Sequence, residues 1–306
     1  MREYGFQKDV ATGNLTLPVA IAICLTLWTI RMNEWSGLAS LSIVLLIGYL
    51  MIETNTMFTL IRTRTTLPVS LYWIWMGALT FLHPFGWENL IPLLFLVATM
   101  QLFRCYDAPN PAIPAYNTFL CIGTGCLLCP SMVCLAPLFL IGLIPFRATT
   151  LKSLTGSLLG FFTPYWLYFG YCAVYDELPK FMESVQSLIT FLPISYEHLQ
   201  PNILTSWIAV TLFLLICGFY SQQAPLNDKT RTRLSHSFLW YAGIWSAACA
   251  LLQPQNLCIQ LSIECICAGF LGGHLFTLTR NRFTSIFLFV TLVAILFITV
   301  LNLWIL

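Results

Sequence analysis

Charge is what this sequence has least of. Its 306 residues include 14 Lys or Arg and 12 Asp or Glu, 8% of the chain, where a soluble domain carries about 25%. With 58% of residues hydrophobic and a mean hydropathy of +0.81, there is too little polar surface to clothe a water-soluble globule. A soluble enzyme and a disordered chain are both excluded. Basic residues occur as singles and short pairs, and the net charge is only +2. That removes nucleic acid and polybasic lipid-binding tails as partners. Metal-ligand spacing is also lacking, as is any diagnostic catalytic motif, so no metal or cofactor is expected. No internal repeat is visible, which counts against the inverted-repeat transporter folds.

Long apolar runs are present instead, and a spanning helix needs about 20 mainly apolar residues. Segments of that kind lie near 15–31, 36–52, 67–83, 89–103, 154–175, 203–220, 234–253, 257–278 and 283–304. The first is read as an uncleaved span, because no small-residue cleavage site follows it. A further stretch, 115–146, is broken by Pro130 and is either a tight pair of helices or a re-entrant hairpin. Counted as a pair, it gives an all-α, polytopic membrane protein of about 11 transmembrane helices forming one integral domain over 1–306.

The basic residues orient these spans. With the N-terminus in the cytoplasm, Arg2, Lys8, Arg62, Arg64, Arg104, Arg147, Lys152, Lys229, Arg231, Arg233, Arg280 and Arg282 fall inside, and only Arg31 and Lys180 outside. The chain then ends outside. The expected location is the bacterial cytoplasmic (inner) membrane. The acids Glu34, Glu88, Asp176, Glu177, Glu183 and Glu197, with His83 and His198, gather on the outer face. The longest outer connection predicts an amphipathic interfacial helix over 181–192. Phe181, Val185, Leu188, Ile189 and Leu192 form one face, with Glu183, Ser184, Gln186, Ser187 and Thr190 opposite. It is either a cap over the bundle or a lid for a lipid-borne substrate.

Glu264 is the one ionisable residue well inside a span, where a charge costs about 3 kcal/mol. Gln260 lies one turn earlier, and Gln253, Gln255 and Asn256 cluster at the outer end of that helix. This set is either a polar seam lining an outward cavity or hydrogen-bonded packing between helices. Arg31 and Lys180 are the outer cations able to meet a phosphate, although Arg31 also sits three residues from Glu34 as a local ion pair. Glu34 and Glu264 are the candidate catalytic carboxylates. Arg31, Lys180, Gln260, His83, Glu88 and His198 are the candidate substrate-binding residues. His236 and His274 read as solvated interface residues. Twelve cysteines lie mostly in apolar runs, where a thiol behaves as a small hydrophobe. The CxxC of Cys126 and Cys129 leaves a disulfide as an alternative. Gly123, Thr124 and Gly125 beside it favour close helix packing.

From Arg62 to Tyr168 the texture is distinctive: IRTRTTLPVSLYWIWMGALTFLHPFGWENL, then the Pro-rich helix start QLFRCYDAPNPAIPAYN and the later LLGFFTPYWLY. This third of the chain resembles a family of polytopic inner-membrane proteins of Bacteroidota that has a domain of unknown function. The resemblance carries no site residues over. It implies an association with polyprenyl-phosphate sugar synthesis.

The resulting expectation is a role in cell-envelope glycan or lipid-linked sugar assembly, glycosyltransferase-like, with an outward-facing cavity. Membrane lipids and a polyprenyl-phosphate-linked sugar are the expected partners. The alternative is a non-enzymatic subunit or scaffold holding envelope protein partners, and a lipid or solute transporter ranks below both.

Overall fold

The computed structural model describes residues 5–13, 15–30, 35–190, 196, 199–223, 228–279 and 281–304. Among these residues the chain is all-helical, with thirteen α-helices and no strand. Four helical segments are long and apolar enough to cross a membrane: 37–58, 201–223, 254–278 and 282–304. The architecture is compatible with a helical membrane protein.

Tertiary contacts gather the chain into two compact units. The first comprises residues 1–86, 196–250 and 260–306, the second 87–195 and 251–259. The first unit contains α1 (Gly5–Thr12), α2 (Thr16–Thr29), α3 (Trp35–Phe58), α4 (Leu67–Ala78), α10 (Pro201–Gln223), α11 (Thr230–Leu252), most of α12 (Leu257–Leu278) and α13 (Arg282–Trp304). Its axis is α12, buried on every side from Ile259 to Thr277, as expected of a helix apolar all round. Neighbours approach α12 closely because it is short of side chains on one stripe. A Cβ at Gly269 would lie 2.8 Å from the Pro68 carbonyl oxygen of α4.

Helix α13 has the pattern of a soluble helix turned inside out. Ile286, Phe289, Val290, Val293, Leu296, Phe297 and Val300 are exposed, while Thr284, Thr291 and Asn302 are buried. Such a stripe is stable only against an apolar surround. The buried polar groups are satisfied. Asn302 Nδ2 donates to the Ala78 carbonyl (3.0 Å) and Ser206 Oγ (3.2 Å), and Asn202 Nδ2 donates to Asn302 Oδ1 (3.3 Å).

The second unit is built from α5 (Ile91–Arg104), α6 (Ala112–Leu128), α7 (Leu135–Gly142), α8 (Leu151–Val174) and α9 (Leu178–Ser187). The 115–146 stretch becomes a hairpin with unequal arms. Its first arm, α6, has 17 residues, and Cys129 leaves it in an extended conformation. Pro130 then opens a 3₁₀ turn leading into the 8-residue α7. At 1.5 Å per residue α6 spans about 25 Å, short of a hydrocarbon core of about 30 Å. Helices α6 and α8 meet backbone to backbone: a Cβ at Gly123 would fall on the Phe161 carbonyl, and one at Gly160 on that of Tyr116. Gly123 therefore does what its sequence context suggests, whereas Gly125 has only ordinary contacts.

Several boundaries move. Helix α3 runs six residues past 52, carrying the polar stretch Glu53–Thr56. Helix α4 stops at Ala78, because Leu79 leaves the helical region (φ −91°, ψ 69°), and residues 80–82 form a 3₁₀ turn. The amphipathic helix begins earlier than expected, at Leu178, with a proline in its first turn, and is regular only to Ser187. Its inward side holds Phe181, Val185 and Leu188 as anticipated, but also Ser184 and Ser187, while Ile189 is exposed. The rotation follows from Phe181 seating against Tyr168 and Phe169 of α8. Leu192 and Pro193 lie outside the described residues.

Candidate functional site

Glu264 is fully buried on α12. Trp207 Nε1 donates to Oε1 (3.0 Å) and Thr211 Oγ1 to Oε2 (2.8 Å), both from α10. Gln260 turns to a different neighbour. Its Oε1 accepts from Ser246 Oγ on α11 at 2.7 Å, and the same hydroxyl reaches the Gln260 carbonyl at 2.9 Å. Both side chains therefore make interhelical hydrogen bonds, the contacts that the second of the two readings from sequence requires.

The other expected residues scatter. His83 is buried and stacked on Trp28 with ring centroids 3.7 Å apart, its Nε2 lying 3.2 Å from the Met76 carbonyl oxygen. Lys180 pairs with Glu177 three residues earlier at 2.5 Å. That bond holds its ammonium above the ordinary lysine value. Arg31, Glu34 and His198 lie outside the described residues, as does Glu197. All twelve cysteines are free thiols, so Cys126 and Cys129 are not bridged.

What the second unit does bring together is the end of α9, the hairpin tip and the Gln/Asn cluster. Ser187, Leu188 and Thr190 face Cys129, Pro130 and Ser131, with Gln253, Pro254, Gln255 and Asn256 completing the wall of a cavity of about 230 Å³. At about 30 Å³ per water it has room for roughly seven waters. No lining side chain carries a charge. The polar groups form a chain: the Ser131 hydroxyl lies 2.9 Å from Cys129 Sγ, the thiol donates to Asn256 Oδ1 (3.8 Å), and Asn256 Nδ2 donates to Gln253 Oε1 (3.3 Å). Glu88, exposed on the 3₁₀ turn at 87–90, is within electrostatic reach of Cys129 and Cys258. Amides, hydroxyls and a thiol without formal charge suit a neutral, hydroxyl-rich group, with one carboxylate at hand.

Sequence reasoning found the amides, the covering helix and Cys129, the last only as half of a CxxC, but missed Ser131, whose only signal was the Pro130 break. It also misread the histidines. His236 and His274 are both buried, with rings 4.2 Å apart. His274 Nε2 lies 3.0 Å from Asp228 Oδ2, and His236 Nε2 lies 3.0 Å from the Leu60 carbonyl oxygen. Arg62 Nε approaches Asp228 Oδ1 at 3.0 Å. Their partners stand far away in sequence, which is why linear spacing reads these residues as solvated ends.

Compared with protein-family models, curated proteins and solved structures, the chain matches none.

Proposed function

We propose that this chain is a multi-pass protein of the bacterial inner membrane acting in envelope glycan or lipid-linked sugar assembly. About eleven segments are embedded, the N-terminus is cytoplasmic, and the cavity beneath α9 opens on the outer side. The single observation that carries this reading is the character of that cavity: uncharged amides and hydroxyls lining a pocket roofed by an amphipathic helix. A sugar ring is satisfied by such donors and acceptors. Leu178 and Met182 on α9, with Val174 before it and Ile189 after it, are exposed apolar residues, where a polyprenyl tail would approach from the bilayer. Lys180, which would have to exchange its Glu177 partner, and Arg31, which lies outside the described residues, are the candidate outer cations for the donor phosphate.

In a glycosyl transfer the acceptor hydroxyl attacks the anomeric carbon, polyprenyl phosphate departs, and a carboxylate takes the hydroxyl proton. Glu88 fits that task better than Glu264, whose two oxygens are occupied inside packing. Glu88→Gln and Asn256→Leu variants, expressed in the source organism at checked protein levels, should each lose or truncate an envelope glycan resolved by gel and mass spectrometry. Unchanged glycans in both would remove the proposal.

A further inference from the structure

The first unit holds a second cavity of opposite character, about 750 Å³, where the α1–α2 corner meets the C-terminal end of α3 and the loop 61–66. Its lining includes Arg62 and Arg64 and six threonines, with no carboxylate among the lining residues. We propose that it is a phosphate-binding site, serving the phosphate of a lipid headgroup or of a free phosphorylated solute.

The argument turns on which donors are already engaged. Three threonines hold the walls: Thr12 donates to the Lys8 carbonyl (2.9 Å), Thr56 to that of Ile52 (2.9 Å) and Thr65 to that of Ala11 (2.5 Å). Asn55 Oδ1 accepts from the Ile61 N–H (3.1 Å), pinning the start of the loop. The hydroxyls of Thr59, Thr63 and Thr66 make no hydrogen bond among the described residues, and neither does the exposed guanidinium of Arg64. These groups, exposed or half-buried at the cavity, are available to donate to an anion.

Arg62 supplies the orientation. Its Nε is anchored by Asp228, a carboxylate only 7% exposed whose other oxygen is held by the buried His274. The contact is an ion pair, and the two Nη groups of the half-exposed side chain remain for a ligand; a guanidinium fork matches phosphate in two parallel bonds. Asp228 and His274 act here as positioning residues. Thr59, at the lip, stands in the left-handed region (φ 48°), which a β-branched residue occupies only where its surroundings hold it. Helix α4 starts directly after Thr66, and its N-terminal dipole adds positive potential at the cavity edge. Arg64, the Arg62 fork held against Asp228, the threonine hydroxyls and the absence of an acid among the lining residues together favour an anion.

The test uses the full chain in nanodiscs. Inorganic pyrophosphate, titrated against chloride at matched ionic strength, probes a soluble source. Native mass spectrometry after reconstitution with and without phosphatidic acid probes a lipid source. Saturable binding in either arm should weaken about tenfold on Arg64→Gln or Arg62→Gln, the loss of one charge-assisted partner. Asp228→Asn should weaken it less, since the guanidinium survives without its anchor, and Arg233→Gln, an exposed arginine outside the cavity, should leave it unchanged. If Arg62→Gln fails to fold because Asp228 is left unpaired, Arg64→Gln decides, having no partner to lose. Absence of saturable binding in both arms, or equal weakening by Arg233→Gln, would overturn the proposal. None of these variants touches the cavity beneath α9, so the outcome stands apart from the glycan experiment.

Discussion

Buried polar side chains show what each residue contributes. Glu264 accepts two bonds from α10, and a glutamine fits the same space with one acceptor and one donor group, the latter able to bond the Thr211 hydroxyl. Glu264→Gln should therefore keep its unfolding midpoint in detergent near the parent value. Glu264→Ala strands the Trp207 N–H and opens a void, costing about 1–3 kcal/mol. A fall of equal size in both variants would show that the negative charge itself is required. Asn302 is a harsher case, since its amide joins α13 to the end of α4 and to α10. Asn302→Leu leaves Asn202 and the Ala78 carbonyl without their partner, and should destabilise by about 1–3 kcal/mol in the same assay.

At the scale of elements, the contact between α6 and α8 depends on glycine because two backbones lie against each other. Gly160→Ala places a methyl on the Tyr116 carbonyl and should cost about 1–3 kcal/mol through overpacking. Gly170, ten residues along the same helix, has nothing within 4 Å of a Cβ. Alanine there should be neutral or mildly stabilising, since glycine is the poorer helix former. Equal effects at the two positions, read by thermal unfolding in mild detergent, would show that the helices do not meet as described. Helix α9 carries the opposite lesson. Its amphipathic pattern is plain in sequence, but Phe181 seating on Tyr168 and Phe169 sets its rotation, and that brings Ser187 and Thr190 to the cavity.

For the whole molecule, the proposed orientation makes a direct prediction. Alkaline phosphatase fused after Thr190 should be active and fused after Lys229 inactive, since the enzyme folds only outside the cytoplasm. The reverse pattern would invert the topology and place the α9 cavity inside. Thiol chemistry offers a second whole-chain measurement. Cys134 and Cys258 are the two cysteines not buried, so a water-soluble maleimide should modify these first in the folded protein. Labelling in denaturant without reductant should reach all twelve.

Scarcity of charge and the spacing of apolar runs determined by themselves that this chain is helical and places helices along every apolar segment, because a backbone in an apolar surround has to satisfy its own hydrogen bonds within each segment. The same patterns marked Glu264, the Gln253–Asn256 amides and α9. Tertiary structure alone decided what those residues do. Burial set Glu264 against Trp207 and Thr211, and His83 against Trp28. A proline-broken hairpin carried Cys129 and Ser131 to the amides, and Asp228, His274 and Arg62 were joined across more than 200 residues. Periodicity records which face of a helix is apolar, whereas a site is made by contacts between helices distant in sequence, and no local pattern encodes those.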